Sequence, residues 1–571
     1  MTVSVDVGKE EYNVNALKLK ADNASVISAD TLGVTVGGYI ASGSNWSDTK
    51  TNLTTSVKAA GVKENENVYN RLGSVSISSS GYSAVNNDAN GYGGGIVGIN
   101  PVAARSQNEI TTNTTADVSG KWQGVGSLSV AANNADKLDI LADSLTAAVV
   151  GASGTEIKNK VAHNANINVT GDITTSGKQS YIANNTLNHD VDLKGSGYGG
   201  GSVNVNDMDN DLTYTAGVNI NNANLSGTGS AGSIEALAYT DGKMNYSNTL
   251  KSAGVVPVTI AASNNVITYN NSINVSGSNL STAKADQDIT LAATDETTAT
   301  FDTTADTQGG AVGAASAKTD NTLNRSNKIT VTNGKILSTN DVNIYAGANL
   351  DGITSSLTYN VLADAYNKTA VPLATAPKAK NTMTQENQVS INGDIDSVRH
   401  VNFKAGKGMT TVSTSAREYN IYKGTSGSGS VTSTALGEIT PGETVANYVD
   451  IASGKNVRAG IHNNLELTIS GSTKVTNPEF DANGNVISGK EGSIDFSGIK
   501  VTTGAGQDWF DTKQNVTADV VELQNGLYAR LEEINDLLGQ YASTSDEYSI
   551  LNSERDRIIT RWKKMALSRP A

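Results

Sequence analysis

The 571-residue chain contains no cysteine, which removes thiol nucleophiles, disulfide frameworks and Cys-based zinc sites together. A protein exported through an oxidising space avoids mispaired thiols in the same way, so the absence also points towards export. Histidine is nearly as scarce, with His163, His189, His400 and His462 only. No two of them have metal-ligand spacing, and none lies beside the Ser and carboxylate pattern of a nucleophilic triad, so all four are expected at turns or on the surface. Long apolar runs are missing too: the most apolar stretches, 147–152 and 254–262, fall far short of the ~18 residues of a membrane-spanning helix. The segment from Met1 to Glu10 has neither a basic nor an apolar region of the kind that opens a signal peptide. A secretion signal is therefore expected outside this chain.

Charge is low and leans negative. Asp, Glu, Lys and Arg make up 17% of the residues, against a usual ~25%, and the net charge of −14 disfavours nucleic acid and anionic membrane surfaces as partners. Aromatic residues are only 5%. A disordered chain is also poor in aromatics, but it carries high charge and few β-branched residues. This one is rich in Val, Ile, Thr, Asn and Gly, and is expected to fold mainly as β.

An internal repeat of about 55 residues organises the sequence. Ile167, Val218, Ile273, Ile329 and Val389 stand 51, 55, 56 and 60 residues apart. Two residues after each comes another β-branched residue (Val169, Ile220, Val275, Val331, Ile391), six before an apolar one (Val161, Leu212, Ile267, Leu323, Met383), and eight before an asparagine (Asn159, Asn210, Asn265, Asn321, Asn381). The downstream half repeats as an alternating strand after a polar turn: Asp288-Ile-Thr-Leu-Ala292, Asp341-Val-Asn-Ile-Tyr-Ala346, His400-Val-Asn-Phe-Lys-Ala405. Asn15 to Ala21 fits that half-pattern, so the chain reads as beginning partway through a repeat. Each copy is strand, Gly/Asn turn, strand, with one buried and one wet face.

Short alternating strands in tandem modules predict a β-solenoid, mainly β, in which inward Ile and Val stack from rung to rung. The recurrent Asn has two readings: a corner residue selected for left-handed geometry, or an amide ladder stacked at that corner. A rung of ~20 residues would place two or three rungs in each unit, ~17 to 25 in all, as a rod of ~80 to 120 Å. Gly91-Tyr-Gly-Gly-Gly95, Gly197-Tyr-Gly-Gly-Gly201 and Gly309-Gly-Ala-Val312 recur 106 and 112 residues apart, about two units. They lack the Lys-Ser/Thr and the βαβ setting of a phosphate loop and read as tight corners or close backbone stacking.

Two segments follow from these patterns: residues 1–505 as one solenoid, clearest over 159–405, and residues 506–571 as an antiparallel helical hairpin. In the second, Val520, Leu523, Leu527, Leu531, Ile534, Leu538 and Tyr541 form a helical stripe. After a break capped at Thr544 or Ser545, Tyr548, Leu551, Ile558, Trp562 and Met565 form another. The hairpin is expected either to cap the open end of the solenoid or to project and contact a partner or receptor.

Chemistry-bearing constellations are sparse. Asp207, Asp209 and Asp211 stand at alternate positions of one strand, where a shared face could hold calcium. They lack the Gly and terminal Glu of a helix-loop-helix calcium loop. No other cofactor is expected. Charged residues do not recur at a constant phase, as clustered carboxylates of a β-helical polysaccharide-cleaving enzyme would, so the chain is not expected to be an enzyme.

The units from Asn327 to Ala346 and from Asn387 to Ala405 resemble the repeats of filamentous-haemagglutinin-type exoproteins, in particular the leukotoxin-type filamentous adhesins of Gram-negative bacteria. The resemblance covers roughly residues 15 to 500 and rests on the grammar of the repeat. It implies a right-handed parallel β-helix, secreted or displayed at the cell surface by two-partner secretion through a dedicated outer-membrane transporter. It further implies attachment to a glycan or protein receptor on host cells or other bacteria, without membrane insertion. The family's N-terminal secretion domain is missing, Asn100-Pro101 being an isolated dipeptide, and so is a C-terminal barrel, so the chain is expected to be an interior or distal piece. A β-helical lyase or depolymerase, or part of a cytotoxic exoprotein, are the alternatives.

Overall fold

The computed structural model describes residues 2–7, 13–61, 71–423, 430–459, 466–471, 474–476, 493–495 and 499–501, apart from positions 285, 374, 376, 399, 407, 409, 437, 453 and 454. Among the described residues there is no helix, and nearly every one belongs to a single large, mostly parallel sheet. The helical hairpin expected over 506–571 lies outside them.

The sheet follows the repeat. Ile167 pairs with Val218, Val218 with Ile273, Ile273 with Ile329, Ile329 with Val389 and Val389 with Val449. All six side chains are buried. The positions six residues earlier, from Val161 to Met383, pair in the same way. Each residue thus lies on its counterpart one whole unit away, so one unit makes one level of the stack. This corrects the expectation of two or three rungs per unit. Leu17, Val75, Leu128, Gln179, Ile234, Ile289, Val342, Val401 and Leu467 form a column nine levels deep. At ~4.8 Å per level that is a height of roughly 40 Å, not a rod of 80 to 120 Å.

A wide level needs room inside, and the unit at 179–233 shows how it is filled. An outgoing arm runs to a glycine tip at 198–201, and a returning arm runs back to Asn222; the short side to Gly227 closes the base. Side chains alternate in and out along the two arms of the Gln179–Gly227 strand, with breaks at the tip 199–201, at 216–218 and at the corner 221–222. Near the base, Tyr181, Ala183, Val218, Ile220 and Leu225 belong to one apolar cluster. Further out, Leu187, Val191, Met208, Leu212 and Tyr214 belong to a second. The arms therefore face each other across two apolar columns, each fully buried aliphatic side chain contributing about 1.5–3 kcal/mol. Because ladder hydrogen bonds run between units, the chain bends at tips and corners without losing them. This is why single strands reach 55 residues at Lys121–Thr175.

Two backbone devices set the bends. The corner after the returning arm is left-handed at Gly120, Gly171, Asn222, Gly277 and Asn333, with φ between +49° and +91°, which Gly and Asn tolerate and branched residues do not. At the tip, backbones stack closely: a Cβ on Gly199 would lie 1.7 Å from the carbonyl oxygen of Ala148, and one on Gly254 1.8 Å from that of Gly199. The glycine segments are close-stacking tips, as the sequence implied.

The recurrent asparagines lie elsewhere. Asn159, Asn210, Asn265 and Asn321 are buried in mid-strand and point inward, so the corner placement is corrected and the ladder reading holds. The Nδ2 of Asn108 donates to Asn159 at 2.8 Å, Asn159 to Asn210 at 2.8 Å, Asn210 to Asn265 at 2.6 Å, and Asn265 to Asn321 at 2.5 Å. Asn381 pairs with Asn321 in register, but their amides do not bond. A second ladder, Asn271, Asn327, Asn387 and Asn447, runs beside the first at 3.0, 2.9 and 2.6 Å. Replacing Asn210 by alanine strands a donor above and an acceptor below, at about 1–3 kcal/mol for each orphan. A loss of about 2–6 kcal/mol is therefore expected in urea unfolding, and a shift under about 0.5 kcal/mol would mean the ladder contributes nothing.

Candidate functional site

Outward faces carry the exposed chemistry. Asp207, Asp209 and Asp211 alternate with the inward Asn206, Met208 and Asn210 on the Gln179–Gly227 strand, so the three carboxylates share the outer face, as expected from their spacing. Neighbours on such a face stand about 7 Å apart. What they meet is set by register. Asp209 lies over Lys158 and Asp211 over Lys160, while Asp207 lies over Glu156. Burial, then the like charges of Asp209 and Glu156, push the Asp207 carboxyl up. Gln107, Glu109, Lys158, Lys160, Asp209 and Asp211, with Asn264 and Val266, line a shallow groove across four levels. Its charges alternate up the stack: Lys50 bridges to Glu109 at 2.7 Å, and Lys160 and Asp211 continue the column. Such a surface can bind polar ligands by hydrogen bonds and paired charges. Among the described residues no three His, Asp or Glu side chains converge closely enough to hold a metal ion.

Two histidines are not where the sequence placed them. His163 and His189 are buried in the second apolar column, 1% and 2% exposed, and are not turn or surface residues. They surround Asp136, which is also buried. The Nε2 of His189 lies 2.8 Å from Asp136 Oδ2, and its Nδ1 lies 2.6 Å from the Tyr246 hydroxyl. With Asp136 as acceptor, His189 donates from Nε2, and its Nδ1 faces the Tyr246 hydroxyl. Tyr214 donates to Asp136 Oδ2 at 3.1 Å, and His163 Nε2 stands 3.5 Å from the same oxygen. Burial pushes the Asp136 carboxyl up, but attraction to His189 and His163 and the hydrogen bonds from His189 and Tyr214 outweigh it and hold it below the ordinary value. Burial holds His163 below its ordinary value.

Tyr246, His189 and Asp136 thus form a relay of the kind that activates nucleophiles, but Tyr246 is 2% exposed and packs on Phe301 with ring centroids 5.3 Å apart. No substrate reaches it, and its work is structural. The signal that sequence reasoning missed was again the repeat: Tyr214 pairs with Tyr269, and Tyr246 with Phe301, one unit at a time, while the Phe301 ring meets Tyr359, two positions off register, at 5.2 Å. His400 is half-buried, its backbone N–H donating to Asp341 at 3.1 Å, and His462 lies outside the described residues. No family model, curated protein or solved structure matches the chain.

Proposed function

We propose that the chain is a non-enzymatic, structural and adhesive segment of an exported bacterial surface protein, built as a right-handed parallel β-helix. The observation that carries this reading is the unbroken unit-by-unit register from Leu17 to Leu467. A stack of that kind spends its polar interior on ladders and leaves long outer faces free for recognition. The repeat grammar, the absence of cysteine and the acidic balance support export by a dedicated outer-membrane transporter and a receptor that is neither nucleic acid nor anionic lipid. The outward groove with Lys158, Lys160, Asp209 and Asp211 suits a polar glycan or protein receptor.

The purified chain is expected to adhere saturably to host or bacterial cell surfaces and to leave acidic polysaccharides uncut. Lys158→Ala with Asp209→Ala, both outward, should weaken that adhesion at least several-fold with unchanged thermal unfolding. Release of new sugar ends from an acidic polysaccharide would replace adhesion by a lyase or depolymerase function. Killing of cells by the chain would replace it by a cytotoxic one.

A further inference from the structure

The tips of the arms carry no charge in seven consecutive units. Segments 31–47, 89–104, 144–155, 195–206, 252–265, 307–317 and 369–377 contain no Asp, Glu, Lys or Arg. In a chain that is 17% charged, each would ordinarily hold about two or three. Register brings these tips together, Gly95 on Ala148, Gly199 on Gly254 and Val312 on Val371. They form a ridge along the stack that bears exposed apolar side chains: Val36, Ile96, Val149, Tyr198, Val255 and Val371 are between 44% and 83% exposed. Glycine alone accounts for the close stacking, and nothing in the stacking calls for valine and isoleucine in water. A contiguous apolar strip of this kind marks an interaction surface.

The charges bounding the ridge say what covers it. In the first three units the nearest charged residues on either side of each tip are Asp30, Asp48, Asp88, Asp143 and Glu156, with Arg105 the single cation. In the next four they are Lys194, Lys251, Lys284, Lys318, Lys368 and Lys378, with Asp207 and Asp306 as the anions. The ridge is neutral, but its rims are acidic at one end and basic at the other. A second copy laid ridge to ridge and running the opposite way places each acidic end against a basic end. A parallel copy sets acidic against acidic and basic against basic.

The geometry points to an antiparallel homodimer that buries this ridge, related by a two-fold axis near the Gln179–Gly227 unit. Seven levels at ~4.8 Å and a tip about 15–18 Å across give roughly 500–600 Å² per copy, a little over the ~1,000 Å² total of the smallest specific interfaces. A micromolar dimer follows.

Sedimentation of the full chain should show a mass of two 59.1 kDa chains as concentration rises through the micromolar range. Val149→Lys with Val255→Lys, both exposed, should weaken the dimer at least ~30-fold, since opposed copies bring lysine against lysine. Mixing that chain with one carrying Val149→Glu and Val255→Glu should restore a mixed dimer, which excludes misfolding as the cause. Because the chain has no cysteine, orientation can be read directly: Val36→Cys chains mixed with Val371→Cys chains should crosslink through a short bis-maleimide as the mixed pair only. A monomer at ~100 µM overturns the proposal, as does crosslinking of Val36→Cys chains to each other. Ridge-dependent binding of monomers to phosphatidylcholine vesicles would assign the ridge to lipid instead.

Discussion

Asp295→Ala is expected to destabilise the chain by about 3–5 kcal/mol, because it leaves a buried guanidinium without its counter-charge. Arg325 is 3% exposed and donates from Nε to Asp295 Oδ2 at 2.5 Å and from Nη1 to Gln385 at 3.0 Å. The second oxygen of Asp295 accepts from Asn327 at 2.8 Å, and Asn327 is itself a rung of the second amide ladder. One carboxylate therefore satisfies both a charge and a ladder position. Removing it strands the arginine between the two arms, and the nearest remaining acceptor, Gln385, is neutral. The paired replacement Asp295→Leu with Arg325→Met removes both charges and should lie within about 2 kcal/mol of the parent, since a buried pair returns little more than its own desolvation cost. Urea unfolding of the three chains measures this. Hydrogen exchange should locate the loss of protection in Ile289–Gln308 and Val312–Ser338. A single-variant cost below about 1 kcal/mol would mean that water reaches Arg325.

That ion pair also shows which parts of the fold could be read from the chain. Ile167, Val218 and Ile273 announce their stacking because an apolar inward position changes little from unit to unit, and the period follows from counting. The width of a level did not follow. Asn210, Thr240 and Asn271 sit inside, and in an alternating strand an inward asparagine has the same pattern as an outward one; only its hydrogen bonds reveal the side. The rung length of ~20 residues is what turned one level into several, and buried polar residues such as these fill the width that so short a rung lacks. Asn222, Gly277 and Asn333 do occupy left-handed corners, so the rule that Asn favours such turns was sound but was applied to the wrong column. The partners of the buried cluster were hidden for a related reason. His189 and Asp136 are 53 residues apart and Tyr214 and Asp136 are 78, separations that mean nothing until the register is known. The outer face of Asp207, Asp209 and Asp211 was legible from spacing alone, but the lysines that oppose two of them come from the neighbouring unit.

Acidification provides the second large effect, and its sign follows from His163. Burial depresses the pKa of this histidine in the folded chain, so below its ordinary value of about 6.5 the unfolded chain binds a proton that the folded chain refuses. Stability is then lost as the pH falls, by up to about 1.4 kcal/mol per pH unit until the folded residue also titrates. Asp136 acts in a lower window. Its folded pKa is held down, so its contribution is complete above the ordinary carboxylate value of about 4 and disappears as the pH drops through the folded one. Carboxyls whose pKa burial raises, such as Asp88, Asp143 and Asp207, oppose these losses by taking up protons in the folded state. They are unchanged between variants, so a comparison cancels them. His163→Phe keeps a ring against Tyr214, where the centroids now stand 5.3 Å apart, and removes a nitrogen that has no hydrogen bond. The variant should match the parent at pH 7.5 and lose distinctly less stability between pH 6.5 and pH 5. Urea midpoints measured at half-unit steps across that range would separate the two chains if His163 is the titrating group. Parallel pH profiles would assign the acid response to other residues.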